Sequence, residues 1–319
     1  MRANMRIVHY FFCCCLGLGL GQTEASGAET AQRVRIAYAS RSSSAMPQYM
    51  AHTTGFFKAE GLDVELIQMN PRLGTAAVVG GDVSFATPFF STFRGVLQGF
   101  PMKLVFVHFK KGPYYLMVRP EIKELQQLKG KKLGVATIKG TDQLVAEEML
   151  QGKGFNPNSL QAVAIGDGPM RMQALISGAV DAISVAPPHD LMLRKMGYSA
   201  LAGPPEVGLP SAGMLTSDRL VRDNPQLVKR TLKALLRSHH YILDNKQETI
   251  QTLIKWLPQA LDIAEHSYET ELKTLNRDGQ MTDAELEAVI ARAGEKKRPL
   301  DELRDFSFVR QAMKELQEK

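Results

Sequence analysis

Between residues 34 and 196, short apolar runs alternate with amphipathic stretches. The runs are rich in β-branched residues and predict strands, whereas the stretches between them repeat apolar residues at helical spacing. Strand followed by helix, repeated along a chain, predicts parallel sheets that are covered by helices on both faces. We predict strands at 34–39, 64–68, 83–86, 104–109, 115–118, 133–136, 162–165 and 182–185, and helices at 47–58, 73–79, 92–98, 142–152, 170–177 and 190–196.

The alternation falls into two blocks and is followed by a helical tail. The first block covers 34–109, and the second opens at LKGKKLGVATIKGTDQ (128–143). Beyond about residue 215, apolar residues recur almost only at helical spacing. Thr282 and Glu285 have the spacing of a capping box, so a helix is predicted to begin there. These helices carry apolar stripes and no catalytic cluster, and we expect them to pack on the first block.

The first 28 residues differ from the rest of the chain and predict a cleaved secretory signal. Arg2 and Arg6 give a positive start, an uncharged stretch follows at 7–20, and small residues at 25–28 offer a cleavage site. The uncharged stretch is shorter than the ~20 residues that a transmembrane helix needs. An uncleaved membrane anchor is the alternative interpretation.

All cysteines of the chain, Cys13, Cys14 and Cys15, lie inside this predicted signal. The mature protein is therefore expected to have no disulfide, no thiolate nucleophile and no cysteine-ligated metal. Phe11 and Phe12 precede Cys13, whereas a lipidation motif would have small residues there. We therefore do not expect a lipid-modified cysteine.

Charge and motif patterns exclude several classes of function. The net charge is +6 and the pI about 9.1, but lysine and arginine are scattered among acidic residues, so we expect no nucleic-acid partner. The seven histidines show no zinc-ligand spacing, and the chain has no GxSxG, P-loop or GxGxxG motif. We therefore predict no metal, no cofactor and no catalytic residue.

A serine-rich loop follows the first predicted strand and precedes a helix whose first turn contains Pro47. In open α/β sheets, ligands bind where the carboxyl ends of strands meet the amino ends of helices. Arg41 either pairs with a ligand carboxylate or, as is more usual for a loop arginine, faces water. The ligand contacts predicted here are Ser40, Arg41, Ser42, Ser43, Ser44 and, as an apolar wall, Met46.

Later strand ends repeat this arrangement. Thr87 can supply a hydroxyl and Phe89 or Phe90 a stacking face, with at least one of these residues expected in the core. Gly140 lets the backbone approach a ligand closely, and Thr141 or Asp142 can cap the next helix. Asp167 either accepts a hydrogen bond from a ligand or holds its own turn. The ligand contacts predicted at these positions are Thr87, Pro88, Phe89, Tyr114, Gly140, Thr141, Asp142, Gly166, Asp167 and Pro187.

Five segments, taken in their order along the chain, carry a family resemblance. They are MPQYMAHTTGFFKAEGLDVEL (46–66), GDVSFATP (81–88), LKGKKLGVATIKGTDQ (128–143), ALISGAVDAISVAPP (174–188) and NPQLVKRTLKALLRS (224–238). Together they resemble the solute-binding proteins of bacterial ABC importers in the nitrate, taurine, alkanesulfonate and thiamine-pyrimidine group. The resemblance implies an α/β, bilobal type II periplasmic-binding fold, in which two lobes joined by two crossing segments close on a small molecule.

The resemblance also implies an organisation and a function. Lobe 1 is expected at 29–112 plus 213–319 and lobe 2 at 113–212. The protein is expected to be a monomeric receptor, periplasmic or otherwise secreted, that captures a small polar organic molecule and delivers it to the membrane permease of an ABC importer. In the commonest form of the family, a serine follows the glycine that corresponds to Gly140, and the acid found here at Asp142 is absent. Asp142 therefore argues against sulfonate or nitrate as ligand, unless it turns away as a plain helix cap.

Two other functions remain open beside the receptor. The first is an enzyme on the same bilobal fold, of the pyrimidine- or menaquinone-pathway type, because fold alone does not settle function. By resemblance those enzymes are cytoplasmic, and the yeast-type pyrimidine synthase carries a cysteine-rich motif that the mature chain lacks, so the predicted signal argues against them. The second is a ligand-sensing domain, which a fused signalling domain or a transmembrane segment would favour.

Overall fold

The chain forms two five-stranded mixed sheets in a computed structural model that describes residues 31–204, 209–293 and 298–318. The predicted signal at 1–28 lies outside the described residues. Each sheet contains two parallel and two antiparallel strand pairings. No helix in the described part of the chain is both long and apolar enough to cross a membrane.

The first sheet consists of β1 (Gln32–Tyr38), β2 (Leu62–Gln68), β3 (Phe85–Pro88), β4 (Met102–Val107) and β10 (Ala212–Ser217). Its strand order is β2-β1-β3-β10-β4. In the parallel part, Ile36 of β1 lies opposite Leu66 on one side and Phe85 on the other. Ile36 and Phe85 are fully buried, as expected for central strands that helices cover on both faces.

The second sheet consists of β5 (Tyr115–Val118), β6 (Lys132–Val135), β7 (Gln161–Ala164), β8 (Ala182–Val185) and β9 (Ser199–Ala202). Its strand order is β7-β6-β8-β5-β9. The chain passes from the first sheet to the second between β4 and β5 and returns between β9 and β10. The first strand after each crossing, β5 or β10, runs antiparallel to its neighbours.

Helices follow most of the strands and form the whole tail. They are α1 (Met46–Thr53), α2 (Phe56–Ala59), α3 (Pro71–Gly80), α4 (Phe89–Leu97), α5 (Thr141–Gln151), α6 (Gly168–Ile176), α7 (His189–Lys195), α8 (Asp218–Asp223), α9 (Pro225–Asp244), α10 (Lys246–Trp256), α11 (Leu261–Leu272), α12 (Asp283–Ala293), α13 (Leu300–Leu303) and α14 (Ser307–Gln317).

The predicted α/β class with two helix-covered sheets is confirmed, and the eight predicted strands are all present. The continuous helix predicted at 47–58 is wrong, because Gly55 adopts a left-handed backbone (φ 75°) and separates α1 from α2. Two strands, β9 and β10, were not predicted. Their sequences, SALA and AGMLTS, are poor in β-branched residues. β10 is buried between β3 and β4, whereas β9 is a half-buried edge strand that pairs with β5.

The helical tail packs on the first sheet and also reaches the second. α13 and α14 contact β4, and α9 packs on α1, α2 and α14. The predicted capping box is confirmed: the N–H of Glu285 donates to Thr282 Oγ1 (3.2 Å), and the N–H of Thr282 donates to Glu285 Oε2 (2.7 Å). α11 contacts α7, so this tail helix touches elements of both sheets.

Candidate functional site

Loops from both sheets meet around a cavity of about 450 Å³. The cavity lies where β1 and β3 of the first sheet, and β6, β7 and β8 of the second, lead into helices. Parallel strands bring their carboxyl ends to one edge of a sheet, so each sheet contributes several loops to the same space. The volume is that of a site for a small organic molecule.

The serine-rich loop after β1 divides between the cavity and the protein interior. Ser40, Ser42 and Ser44 line the cavity; the Oγ atoms of Ser42 and Ser44 lie 2.8 Å apart, and Ser40 Oγ accepts a hydrogen bond from the N–H of Gly168 (3.2 Å). Ser43 is fully buried, and its Oγ lies 2.8 Å from the carbonyl oxygen of Pro187. The loop therefore supplies hydroxyls to the cavity and also binds the second sheet's loops.

Asp142 and Arg171 form a buried ion pair in the wall of the cavity. Arg171 Nη1 lies 3.3 Å from Asp142 Oδ2, and both side chains are less than a tenth exposed. Arg171 Nη1 also donates to the carbonyl oxygen of Gly166 (2.7 Å), and Asp142 Oδ2 accepts from the N–H of Ala136 (2.6 Å). Burial raises the pKa of Asp142, and the charge of Arg171 together with backbone N–H groups opposes that rise.

Asp167 serves as a helix cap and also spans the cavity. Its Oδ1 accepts from the N–H of Met170 (3.1 Å) in the first turn of α6, and its Oδ2 accepts from the side-chain amide of Gln68 (2.9 Å) at the end of β2. The second contact joins the two sheets across the cavity. Both of the sequence-based readings of Asp167 therefore remain compatible with its position, since the side chain holds its turn and faces the cavity.

His189 and Tyr114 complete the buried polar wall. Burial, with the nearby charge of Arg171, lowers the pKa of His189 to about 4, so its imidazole is neutral at pH 7. The ring lies against Gly168, where a Cβ atom would come within 2.5 Å of His189 Cε1. Burial likewise raises the pKa of the Tyr114 hydroxyl, which stays protonated at pH 7. Neither ring carries a charge at the cavity.

Further hydrogen bonds join the two sheets beside the cavity. The N–H of Phe90 in α4 donates to Thr141 Oγ1 in α5 (3.1 Å), and the hydroxyls of Ser91 and Thr137 lie 3.3 Å apart. Together with the Ser40–Gly168 and Ser43–Pro187 contacts, they hold loops of one sheet against loops of the other. The described arrangement therefore has loops of the two sheets in direct contact beside the cavity.

The structure brings most of the predicted site residues to the cavity. That these residues contact a ligand remains a prediction. The predicted residues that line the cavity are Ser40, Ser42, Ser44, Thr87, Pro88, Tyr114, Thr141, Asp142, Gly166 and Asp167.

Six predicted contacts do not line the cavity. Met46 and Phe89 are in the apolar core, as foreseen for at least one of Thr87, Phe89 and Phe90. Arg41 donates to the carbonyl oxygen of Trp256, and Ser43 and Pro187 bind each other. The sixth is Gly140, whose Cα faces Thr137: a Cβ there would lie 2.5 Å from Thr137 Oγ1.

Sequence reasoning missed several cavity residues, above all Arg171. A cation in the first turn of a helix opposes the helix dipole, so Arg171 could have been singled out as a residue with a tertiary partner. The other missed side chains lie at strand ends or on neighbouring loops, and no local pattern marks them. They include Tyr38, Gln68, Asn70, Ser91, His189 and Ser211. Within the described ranges, no group of three or more His, Cys, Asp or Glu residues is placed to hold a metal ion.

Comparison with known proteins identifies the family. A family model described as NMT1/THI5 like matches residues 42–249, well over half of the chain, and the protein belongs to this family. The chain is 26% identical over 239 residues to 4-amino-5-hydroxymethyl-2-methylpyrimidine phosphate synthase THI13 of Saccharomyces cerevisiae, covering 67% of this chain and 68% of that one. It is 25% identical over 223 residues to the riboflavin-binding protein RibY of Chloroflexus aurantiacus, covering 67% and 63%.

A solved structure supports the same fold. The periplasmic nitrate-binding protein NrtA from Synechocystis PCC 6803 superposes with a TM-score of 0.74 at 14% identity, over 91% of this chain and 90% of that one. The predicted resemblance to periplasmic solute-binding proteins, and the periplasmic-binding fold it implies, are therefore confirmed.

Proposed function

We propose that the protein is an extracytoplasmic receptor that captures a small polar organic molecule in this cavity and delivers it to the permease of an ABC importer. The observation that carries the proposal is the cavity itself, whose polar walls come from both sheets and hydrogen-bond to each other across it. A ligand that contacts both sides binds the closed arrangement better than an open one, so binding and closure are coupled.

The two sheets support the proposed lobes. Lobe 1 comprises 29–112 plus 213–319 and lobe 2 comprises 113–212, so that each lobe holds one sheet apart from Ala212, the first residue of β10. The segments between β4 and β5 and between β9 and β10 act as the hinge in this proposal. The predicted signal at 1–28 and the likeness to a periplasmic nitrate-binding protein support a location outside the cytoplasm. The proposed receptor is a monomer.

An enzyme is the second candidate function. Sequence relatives named as pyrimidine phosphate synthases favour it, and His189 places a neutral imidazole in the cavity wall. Against it, the chain has no cysteine after Cys15, whereas the yeast-type synthase that it resembles carries a cysteine-rich motif. A receptor releases its ligand unaltered, and an enzyme does not.

Three measurements, made in sequence, separate these candidates. A thermal-shift screen of the mature protein against sulfonates, carboxylates, pyrimidines and aromatic acids should find a stabilising ligand. X-ray scattering should then show compaction when that ligand is added. Mass spectrometry of the ligand after prolonged incubation should show no product; steady conversion would make the protein an enzyme.

A further inference from the structure

Five helices, α3 to α7, begin at the cavity, and side chains of the protein already supply an acceptor at the amino ends of α4, α5 and α6. Helix amino ends attract anions, because their first N–H groups are unpaired and the helix dipole is positive there. At α5, the carboxylate of Asp142 accepts from the N–H of Ala136 (2.6 Å), and the backbone N–H groups of Asp142 and Gln143 oppose the rise of its pKa. The position that could hold a ligand anion is occupied by a carboxylate of the chain.

At the amino ends of α6 and α4, side chains of the protein accept hydrogen bonds from backbone N–H groups in the same way. At α6, Asp167 Oδ1 accepts from the N–H of Met170 (3.1 Å), and Ser40 Oγ accepts from the N–H of Gly168 (3.2 Å). At α4, Thr141 Oγ1 accepts from the N–H of Phe90 (3.1 Å). These hydrogen bonds leave the helix ends with little capacity to bind an oxyanion of a ligand.

The charges in the cavity wall also disfavour binding of an oxyanion. Among the described residues that line the cavity, Arg171 is the single permanent cation, and the acids are Asp142 and Asp167. His189 is neutral at pH 7. The formal charge of the wall is therefore −1 when Asp142 is ionised and zero when it is protonated, and in neither case positive. Arg171 Nη1 is also engaged by Asp142 at 3.3 Å and by the carbonyl oxygen of Gly166 at 2.7 Å, whereas the buried Nε has no hydrogen-bond partner among the described residues.

We propose that the cavity selects neutral or cationic organic molecules with N–H donors and discriminates against oxyanions, and that Asp142 is the residue that sets this choice. Asp167 and the serine hydroxyls supply acceptors for such donors. Asp142 acts in two ways. Its carboxylate occupies the amino end of α5, where a ligand anion could bind, and its charge compensates that of Arg171. This inference rests on the proposed receptor function, whose ligand class it narrows.

The first test compares four probes of similar shape and different charge: benzamidine, benzamide, benzoate and benzenesulfonate. Calorimetry on the mature protein at fixed ionic strength should show that benzamidine or benzamide binds at least about tenfold more tightly than either anion. Tighter binding of benzoate or benzenesulfonate would overturn the charge selection and leave the receptor function standing. If none of the four probes binds, the test uses the best ligand from the thermal-shift screen. If that ligand is an anion, the inference is overturned. A protein that binds no compound at all would overturn the receptor function and this inference with it.

The second test is a gain of function. Asp142→Asn removes the negative charge beside Arg171, so affinity for benzenesulfonate should rise at least about tenfold over the wild type. Asp63→Asn is the matched control, because Asp63 is exposed on β2, does not line the cavity and loses the same charge. Equal affinities of the wild type and Asp142→Asn would overturn the role of Asp142. If Asp142→Asn does not fold, Asp142→Ser is the replacement, and the wild-type series remains an independent test.

Discussion

Ser43 Oγ lies 2.7 Å from Glu271 Oε1 and links this tail-helix carboxyl to the loop after β1. The same oxygen lies 2.8 Å from the carbonyl oxygen of Pro187 in the second sheet's loop after β8. A hydroxyl has one hydrogen, which it cannot give to both oxygens. A proton on Glu271 resolves the conflict, because Glu271 then donates to Ser43 and Ser43 donates to Pro187. Burial, with Asp190 nearby, raises the pKa of Glu271 to about 8 and favours this protonated form.

The proton on Glu271 predicts a pH-dependent stability. Between pH 4.5, the ordinary pKa of glutamate, and about pH 8, the folded protein holds a proton that the unfolded chain has lost. The free energy of unfolding should therefore fall as pH rises through this window, by up to about 5 kcal/mol from this one group, and level off above it. Glu271→Gln, whose amide can donate to Ser43 at any pH, should flatten this part of the curve.

Urea unfolding from pH 5 to pH 9 checks this prediction, with the difference between the two proteins as the measured quantity. Glu269→Gln is a suitable control, since Glu269 is an exposed residue of the same helix and is paired with Lys246. A wild-type curve that runs parallel to that of Glu271→Gln would mean that Glu271 is ionised in the folded protein.

The fold was more predictable from the sequence than the site. The strands around Ile36 and Phe85 could be predicted because they are buried on both faces, and burial on both faces leaves a short apolar run. Polar residues at strand ends also indicated where the cavity lies, as for Ser40 after β1 and Asp167 after β7. The pairing of Asp142 with Arg171 could not be predicted, because the two lie 29 positions apart and meet only through the packing of α5 and α6.

Met46 and Phe89 show why some predicted contacts do not line the cavity. Both follow a predicted strand closely, yet both side chains turn inward and are at most 1% exposed. A loop of a few residues can present a side chain to either side, and its direction is set by backbone angles that a one-dimensional pattern does not carry. Charge or polarity at a strand end is therefore a better guide to the cavity than position alone.

Thr141→Val should weaken closure. The variant keeps the shape of the side chain and removes the acceptor for the N–H of Phe90, which is a contact between the two sheets' helices. A buried N–H without a partner costs about 1–3 kcal/mol, so the ratio of closed to open molecules should fall about fivefold or more. X-ray scattering of the ligand-free protein should report a larger radius of gyration than for the wild type.

A scattering measurement without ligand separates loss of closure from loss of a ligand contact at Thr141. Thr231→Val is the control, because Thr231 is equally buried and its hydroxyl donates only within α9, to the carbonyl oxygen of Leu227 (2.8 Å). Unchanged scattering of Thr141→Val would show that its hydrogen bond does not hold the two sides together.

Gly168→Ala should destabilise the protein through a clash with His189. The new methyl group would lie 2.5 Å from His189 Cε1, which is closer than Cβ atoms approach other atoms, so the buried ring would have to shift. Overpacking of this kind costs about 1–3 kcal/mol. Gly152→Ala is the matched control, since its nearest contact is 3.4 Å away, and it should melt close to the wild type. Equal melting temperatures of the two variants would contradict the described packing.

Arg171→Met should be strongly destabilising, because it leaves the buried carboxylate of Asp142 without its partner. Removal of one member of a buried pair costs about 3–5 kcal/mol, whereas replacement of both members is often close to neutral. The double variant Asp142→Asn with Arg171→Met should therefore be more stable than Arg171→Met alone, a coupling that a double-mutant cycle in urea measures directly. Strictly additive effects would mean that the two side chains do not interact. A positive coupling would explain how Arg171 is tolerated near the amino end of α6, where a cation opposes the helix dipole, since Asp142 compensates its charge.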